Sequence, residues 1–357
     1  MKFKNVLVTG GAGFIGCALS HELAPYADRW VALDSLHPQV HSSKGRPSEL
    51  HEAAELVIGD VTVAEDWRKL LSDFTPDLVI HLAAETGTAQ SMFESSRHAL
   101  VNVVGTTRML DALGEAGVIP QRILLTSSRA VYGEGRWADS AGEFKYPGIR
   151  SKLQLDAGEW DFAGLTPTPS DVIETWPRPT SIYGATKLDQ EHLLAAWGAA
   201  NGSRVTVLRL QNVFGPGQSL TNPYTGIVSL FSQLARAGQS IPLYEDGNVV
   251  RDFVVIDDVV AAISAALSWH QLSMVETFDV GSGVPSTIET VASWLSDYYG
   301  APSPHVTSQF REGDVRHASC AIERTKTTLN WTPKFSLSDG LESLQEWLGF
   351  QLGNGTS

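Results

Sequence analysis

Val6-Leu7-Val8-Thr9-Gly10-Gly11-Ala12-Gly13-Phe14-Ile15-Gly16 is an apolar run that turns through glycines into the start of a helix. A strand-to-helix turn this tight needs a residue free to take positive φ. It also needs a spot without a side chain, where backbone N–H groups can meet phosphate, and close contact between helix and strand. Those are the jobs of Gly10, Gly13 and Gly16. The helix opening at Phe14 and Ile15 then turns its positive end toward the anion. The spacing is Gly-x-x-Gly-x-x-Gly rather than Gly-x-Gly-x-x-Gly. A second apolar run, Trp30-Val31-Ala32-Leu33, ends on Asp34, about 20 residues beyond the glycines, where a carboxylate accepts both ribose hydroxyls. Ser35-Leu36-His37 follows, with no Arg or Lys for a 2′-phosphate, so the stretch points to NAD rather than NADP.

Outward from this turn, further strands read as Leu56-Val57-Ile58-Gly59-Asp60, Asp77 to Ala84, Arg122 to Ser128, Val205 to Leu210 and Phe278 to Gly281. Helical periodicity fills 63–73, 91–116, 183–200, 224–237 and 257–268. Continuous apolar strands are buried on both faces, so the sheet is parallel and sandwiched by helices. The fold class expected is α/β, a Rossmann-like doubly wound parallel sheet with a smaller mixed α/β substrate-binding lobe. Residues 1–212 form the NAD-binding domain, interrupted by a long insert over 133–180 that is rich in Pro, Gly and Trp. Residues 213–349 form mainly the lobe, with 254–281 returning to the first domain and 350–357 a tail. The insert reads either as a functional excursion or as a loose surface loop.

The 357 residues are 43% hydrophobic, enough for a full core, and carry a net charge of -14, which argues against nucleic-acid or anionic-membrane binding. Anionic ligands therefore need cations placed locally. The two cysteines, Cys17 and Cys320, are too few and too far apart for a disulfide framework or a zinc site, so no metal is expected. No apolar stretch reaches the roughly 20 residues of a membrane span. A soluble, cytoplasmic protein is the expectation.

Tyr183-Gly184-Ala185-Thr186-Lys187 sets a phenol and an ammonium one helical turn apart, on one face. A tyrosine of pKa about 10 becomes a useful base only when a cation stabilises its phenolate, a charge Lys187 can supply. Ser127-Ser128 closes the fifth strand at the edge where open α/β sheets hold ligands. A hydroxyl there can donate to a substrate oxygen while the phenol moves the proton.

In these residues the chain resembles the extended short-chain dehydrogenase/reductase family of nucleotide-sugar epimerases and dehydratases. Further matches are Asn102-Val103-Val104-Gly105-Thr106, Ser128-Arg129-Ala130-Val131-Tyr132-Gly133, Leu208 to Pro216, Arg251-Asp252-Phe253 and Gly313-Asp314-Val315-Arg316, in the family's order over nearly the whole chain. The resemblance implies Ser128, Tyr183 and Lys187 as the catalytic set. It implies that Asp60 and Val61 hold the adenine, that Leu82, Ala83, Ala84 and Ser127 line the nicotinamide side, and that Asn102 lies on the helix behind the site. Asn212, Asn222 and Arg251 fall where the family grips diphosphate and sugar, and Arg311 and Asp314 where it grips the nucleoside. A salt bridge of Arg251 with Asp252, and a surface pair of Arg311 with Asp314, are the structural alternatives.

Family dehydratases follow the catalytic hydroxyl with Asp-Glu; Arg129 and Ala130 stand there instead, which disfavours dehydration. The resemblance implies NAD-dependent inversion at C4 of a nucleoside-diphosphate sugar through a 4-keto intermediate. A nucleotide-4-keto-sugar reductase and a non-catalytic NAD-binding sensor are the other readings. A finer likeness, in Gly217 to Gly226 and the insert, points to the subgroup acting on dTDP-6-deoxyhexoses such as dTDP-L-rhamnose, with UDP-hexoses as the alternative. Family members pair as homodimers through helices near 91–116 and 183–200. Leu193, Leu194 and Trp197 would supply apolar surface there, unless they pack against their own sheet.

Overall fold

The computed structural model describes residues 2–41, 43–219 and 226–353. Seven strands build one sheet: β1 (Phe3–Thr9), β2 (Ala27–Asp34), β3 (Glu55–Ile58), β4 (Leu78–His81), β5 (Arg122–Ser128), β6 (Arg204–Leu210) and β7 (Val275–Val280). Every neighbouring pair is parallel and the order is β7-β6-β5-β4-β1-β2-β3. Alternation along β1 splits the core. Val6 and Val8 pack into the cluster on one face and Leu7 into the cluster on the other. The chain reverses its direction of winding between β1 and β4, so the crevice at their C-terminal ends is the switch point where such sheets take ligands.

Helix α1 (Phe14–Ser20) follows the glycine turn and α2 (Ala64–Asp73) follows β3. The helical stretch expected over 91–116 is broken into Thr88–Phe93, Ser95–His98, a π-helical turn Ala99–Val104 and helix α3 (Gly105–Glu115). Helix α4 (Ile182–Asn201) starts on a Ser181 side-chain cap and ends at Gly202 in the left-handed conformation. Helix α5 (Ile256–Ser268) precedes β7.

The lobe carries a small sheet in which Asn212–Phe214 runs parallel to Val250–Val255. That second strand also pairs with Pro285–Thr287 and His317–Ala318. The last helix runs from Leu337 to Gly353, with Leu341, Leu344 and Leu348 buried along one side. The expected tail from residue 350 is therefore helical to Gly353, and its remainder lies outside the described residues.

The insert is not a loose loop. It folds a three-stranded sheet from Trp137–Ala138, Phe144–Lys145 and Thr166–Pro167, and Trp137 is buried against Phe162. Ser170 bridges to Cys320, and buried Arg150 reaches into the lobe to bind Glu245 with two 2.8 Å hydrogen bonds. Leu194 is wholly buried in the core between α4 and the sheet, with Trp197 packed on the same cluster. The expectation that Leu194 offers apolar surface to a partner is thus corrected: its side of α4 faces the sheet. Among the described residues, no helix is long and apolar enough to cross a membrane.

Candidate active site

The glycine turn at the end of β1 has the three features expected of it. Gly10 sits at φ +66°, and a Cβ there would lie 2.7 Å from the Ala83 backbone nitrogen, so the turn and the loop after β4 touch backbone to backbone. Gly13 precedes α1 in extended conformation, and α1 begins at Phe14 without a side-chain cap on its first N–H groups. A Cβ on Gly16 would fall 2.5 Å from the Gly11 carbonyl oxygen, which shows how closely α1 lies on the turn.

Asp34 ends β2 beside this cradle. One carboxylate oxygen accepts from the Ala12 N–H (3.0 Å), and the other accepts from the Leu36 N–H (2.9 Å) and lies 3.7 Å from His41 Nε2. The approach of His41 to Asp34 is not legible in the sequence, because nothing in its spacing links the two. Asp60 uses its carboxylate locally, on the Thr62 N–H and hydroxyl at 2.8 Å each, and so shapes the turn after β3 while Val61 packs beneath it. Leu82, Ala83 and Ala84 follow β4 directly, with the Leu82 N–H donating to Thr9 O and the Ala83 N–H to the Thr9 hydroxyl. Asn102, on the π-helical turn, is fully buried. It accepts from the Glu85 N–H (2.8 Å) and donates to Glu85 O and the Thr186 hydroxyl (3.0 Å each), so it ties the loop after β4 to α4.

Ser128, Tyr183 and Lys187 are brought together where β5 meets the first turns of α4. The Ser128 hydroxyl caps the turn that follows by accepting from the Ala130 N–H (3.1 Å). Burial pushes the Tyr183 phenol up, while the Ser128 hydroxyl beside it and the Arg129 charge pull it down. Lys187 is buried; its ammonium donates to Gln190 Oε1 at 2.5 Å. Burial lowers Lys187 to about 7, opposed by the charge of Glu191. Gln190 in turn donates to the Thr106 hydroxyl (2.9 Å) and meets His81 Nε2 (3.1 Å), whose Nδ1 meets the Thr9 hydroxyl at 2.6 Å. His81 stays neutral, burial and Lys187 holding it near 3. One chain of bonds thus connects the glycine turn, β4, α3 and the lysine.

Ser127 does not face the crevice freely, because its hydroxyl donates to Glu191 Oε1 at 2.5 Å. Glu191 also binds Arg209 (2.7 Å), and the Arg209 guanidinium lies 4.8 Å from the Tyr132 ring centre. The Tyr132 hydroxyl donates to Asp279 at 2.9 and 3.1 Å, and burial pushes Asp279 up to about 8. Arg209 had a sequence signal: a charge inside the buried run Val205 to Leu210 requires a buried partner.

On the lobe side, Arg251 is buried and donates to Asp314 Oδ1 and to Val250 O, both at 2.8 Å. The salt bridge of Arg251 is therefore with Asp314 and not with Asp252, whose carboxylate takes the Ser282 and Gly283 N–H groups. Arg311 does not pair with Asp314; it is exposed, with its guanidinium 5.1 Å from the Tyr244 ring centre. Asn212 accepts from Arg129 Nε at 2.7 Å. Burial, and after it the charge of Arg251, lowers Arg129 to about 9, which leaves it cationic at neutral pH. Asn222 lies outside the described residues.

A family model for the NAD dependent epimerase/dehydratase family matches residues 6–281. The chain is 57% identical over 349 residues to a dTDP-L-rhamnose 4-epimerase of Burkholderia thailandensis, covering 98% of this chain and 96% of that one. It is 30% identical over 350 residues to a UDP-glucose 4-epimerase of Mycolicibacterium smegmatis, covering 96% and 98%. Among solved structures, the UDP-glucose 4-epimerase of Thermotoga maritima with UDP-glucose superposes with a TM-score of 0.79 at 29% identity, over 98% of this chain and 99% of that one. The UDP-glucuronic acid 4-epimerase of Bacillus cereus, in complex with UDP-glucuronic acid and NAD, gives 0.77 at 25% over 98% and 99%.

Proposed function

Because the chain belongs to the NAD-dependent epimerase/dehydratase family, we propose that it inverts C4 of a nucleoside-diphosphate sugar, with dTDP-L-rhamnose as the substrate. The observation that carries this reading is the Tyr183 phenol beside the Ser128 hydroxyl at the sheet's switch edge, with Lys187 one turn along the same helix. Arg129 and Ala130 stand where a dehydrating acid-base pair would be needed.

The residues fit NAD. Gly10, Gly13, Phe14, Ile15 and Gly16 leave a cradle that a Cβ would fill, and Asp34 at its side accepts ribose hydroxyls with no cation placed for a 2′-phosphate. Asp60 and Val61 would border the adenine, and Ala83 and Ala84 the nicotinamide. When bound, NAD supplies the oxidant that takes the hydride from C4 and gives it back. Tyr183 removes the proton from the C4 hydroxyl and returns it to the same oxygen after the ketone has presented its other face. Ser128 donates a hydrogen bond to that oxygen. Lys187, desolvated at the base of the site, gains most from an anionic phenolate and so biases Tyr183 toward ionisation. Asn212, Asn222, Arg251, Arg311 and Asp314 hold the nucleotide and sugar.

The protein is also proposed to be a cytoplasmic homodimer. Met92, Phe93, Leu100 and Val104 expose apolar surface along the segment between β4 and α3, with Phe93 90% exposed.

The test is purified protein with its retained NAD, given dTDP-L-rhamnose and no added cofactor, with the sugar followed by NMR. Appearance of the C4 epimer is expected. Stoichiometric consumption of NADH or NADPH with a 4-keto sugar, and no interconversion without them, would make it a reductase.

A further inference from the structure

Arg129 is a charged group that adjoins Ser128 in the chain and acts on the Tyr183 phenol. Its backbone directly follows the catalytic serine, in the turn Arg129–Tyr132 against which the first turn of α4 packs. That packing is close: a Cβ on Gly184 would lie 2.4 Å from the Ala130 carbonyl oxygen. The guanidinium is thereby held at the wall of the site. Its Nε donates to the neutral amide of Asn212 at 2.7 Å, and its terminal nitrogens have no hydrogen-bond partner among the described residues.

A second guanidinium is close. Asn212 pairs in register with Phe253 on the adjacent lobe strand, and Arg251 lies two residues earlier on that strand, hence on the same face. Arg251 is answered by Asp314 at 2.8 Å. Among the described residues no carboxylate lies within ion-pair distance of Arg129, in a chain whose acidic residues outnumber its basic ones by 40 to 26. Asp314 and Glu134 both act on Arg129 from a distance, but Asp314 is bonded to Arg251 and Glu134 to the Arg316 backbone N–H, so the Arg129 guanidinium has no anion bonded to it. A sugar hydroxyl would give such a fork hydrogen bonds without charge; a phosphate gives both, in matching geometry.

We propose that Arg129 is a substrate-binding residue that grips the sugar-linked phosphate of the nucleotide sugar, across from Arg251. Asn212 orients the fork by accepting a hydrogen bond from its Nε–H, and the free edge is left for the phosphate oxygens. Because Arg129 adjoins Ser128 in the chain, this grip fixes the sugar relative to the hydroxyl and phenol that act on it. The proposal rests on the reading of the protein as a nucleotide-sugar enzyme.

The experiment compares Arg129→Gln and Arg129→Lys with the unaltered protein, each with its retained NAD, using calorimetric titration of dTDP and of dTMP. Loss of a charged hydrogen-bonding partner should weaken dTDP by roughly 10- to 100-fold in Arg129→Gln, with part of the loss restored in Arg129→Lys. dTMP, which lacks the second phosphate, should bind all three proteins alike. Equal weakening of dTDP and dTMP would overturn the proposal in favour of a general structural role. Unchanged dTDP affinity with a shifted pH profile of turnover would overturn it in favour of an effect on Tyr183. Unaltered protein that binds no nucleoside diphosphate would sink the functional reading and this proposal together. If that protein binds dTDP and Arg129→Gln equals it, the proposal alone fails.

Discussion

Replacing Arg150 by Met should loosen the insert from the lobe, and its cost can be worked from the bonds it removes. The guanidinium makes two 2.8 Å bonds to Glu245, reaches Trp160 O (3.1 Å) and Asp314 O (2.9 Å), and lies 3.5 Å from Glu134. All of this is buried, so Met fills similar volume but leaves two carboxylates short of a cation. Breaking a buried pair by removing one partner costs about 3–5 kcal/mol. The Arg316 guanidinium remains 3.0 Å from Glu245 and the Arg316 backbone N–H still donates to the Glu134 carboxylate, so the lower end, about 3 kcal/mol, is expected. At about 2–4 °C per kcal/mol, Tm falls by roughly 6–12 °C. The loss should also depend on pH. Burial pushes Glu134 up to about 7, with Arg150 the main opposing charge. A carboxyl raised in the folded state is neutral in it at pH 5 and must ionise, at a cost, as pH rises through 7. Without Arg150 that cost grows, so the fall in Tm should be larger at pH 8 than at pH 5. Thermal melts at the two pH values, with KM for the nucleotide sugar, are the assay. A Tm within a degree or two of the unaltered protein, or an equal fall at both pH values, would refute the clamp.

Tyr183→Phe should lower kcat on the order of 10² to 10⁴ while bound NAD per protein, read after denaturation, stays constant; intact epimerisation would remove Tyr183 from the proton path. Gly10→Ala forces a Cβ into 2.7 Å contact with the Ala83 nitrogen at a φ of +66°, so the variant should lose its retained NAD or fail to accumulate folded, as absorbance ratio and yield would report. Asp279, raised by burial to about 8, favours the folded state when protonated, so stability should fall as pH climbs from the ordinary carboxyl range through 8. Asp279→Asn should flatten that part of a urea-midpoint-against-pH curve, and a curve of unchanged slope would count against the buried carboxyl.

Legibility divides along physical lines. The central strands of the main sheet stand out because each carries an apolar run, as in Val6-Leu7-Val8 and Ile123-Leu124-Leu125, and an apolar run needs no knowledge of its partner to be recognised. Ser128, Tyr183 and Lys187 stand out because a strand end and one helical turn set their relation locally. The insert lacks that property. What holds it is the pairing of Arg150 with Glu245, 95 residues apart, and of Arg316 with Asp161, 155 residues apart, and neither leaves a period in the sequence. Arg129 was legible as a departure, a cation where an acid would dehydrate, but its bond to Asn212 spans 83 residues and only the fold discloses it.

Helix α4 shows two expectations in conflict that the sequence itself could have resolved. Tyr183 and Lys187 act only if they face the sheet edge, and a helix that turns these two inward turns inward whatever follows at the same spacing. Gln190 and Glu191 lie one turn on and Leu194 two, and all three are buried: Gln190 on the lysine, Glu191 on Ser127 and Arg209, Leu194 in the core. The catalytic face and the outward-facing apolar face expected of Leu194 could not both have been true of one stripe. The proposed dimer would instead draw on the other side of α4, where His192 and Ala196 are exposed, together with Met92, Phe93 and Leu100. If Leu100→Asp with Phe93→Asp left the molecule's mass by sedimentation unchanged from a dimeric parent, that surface would be wrong as well.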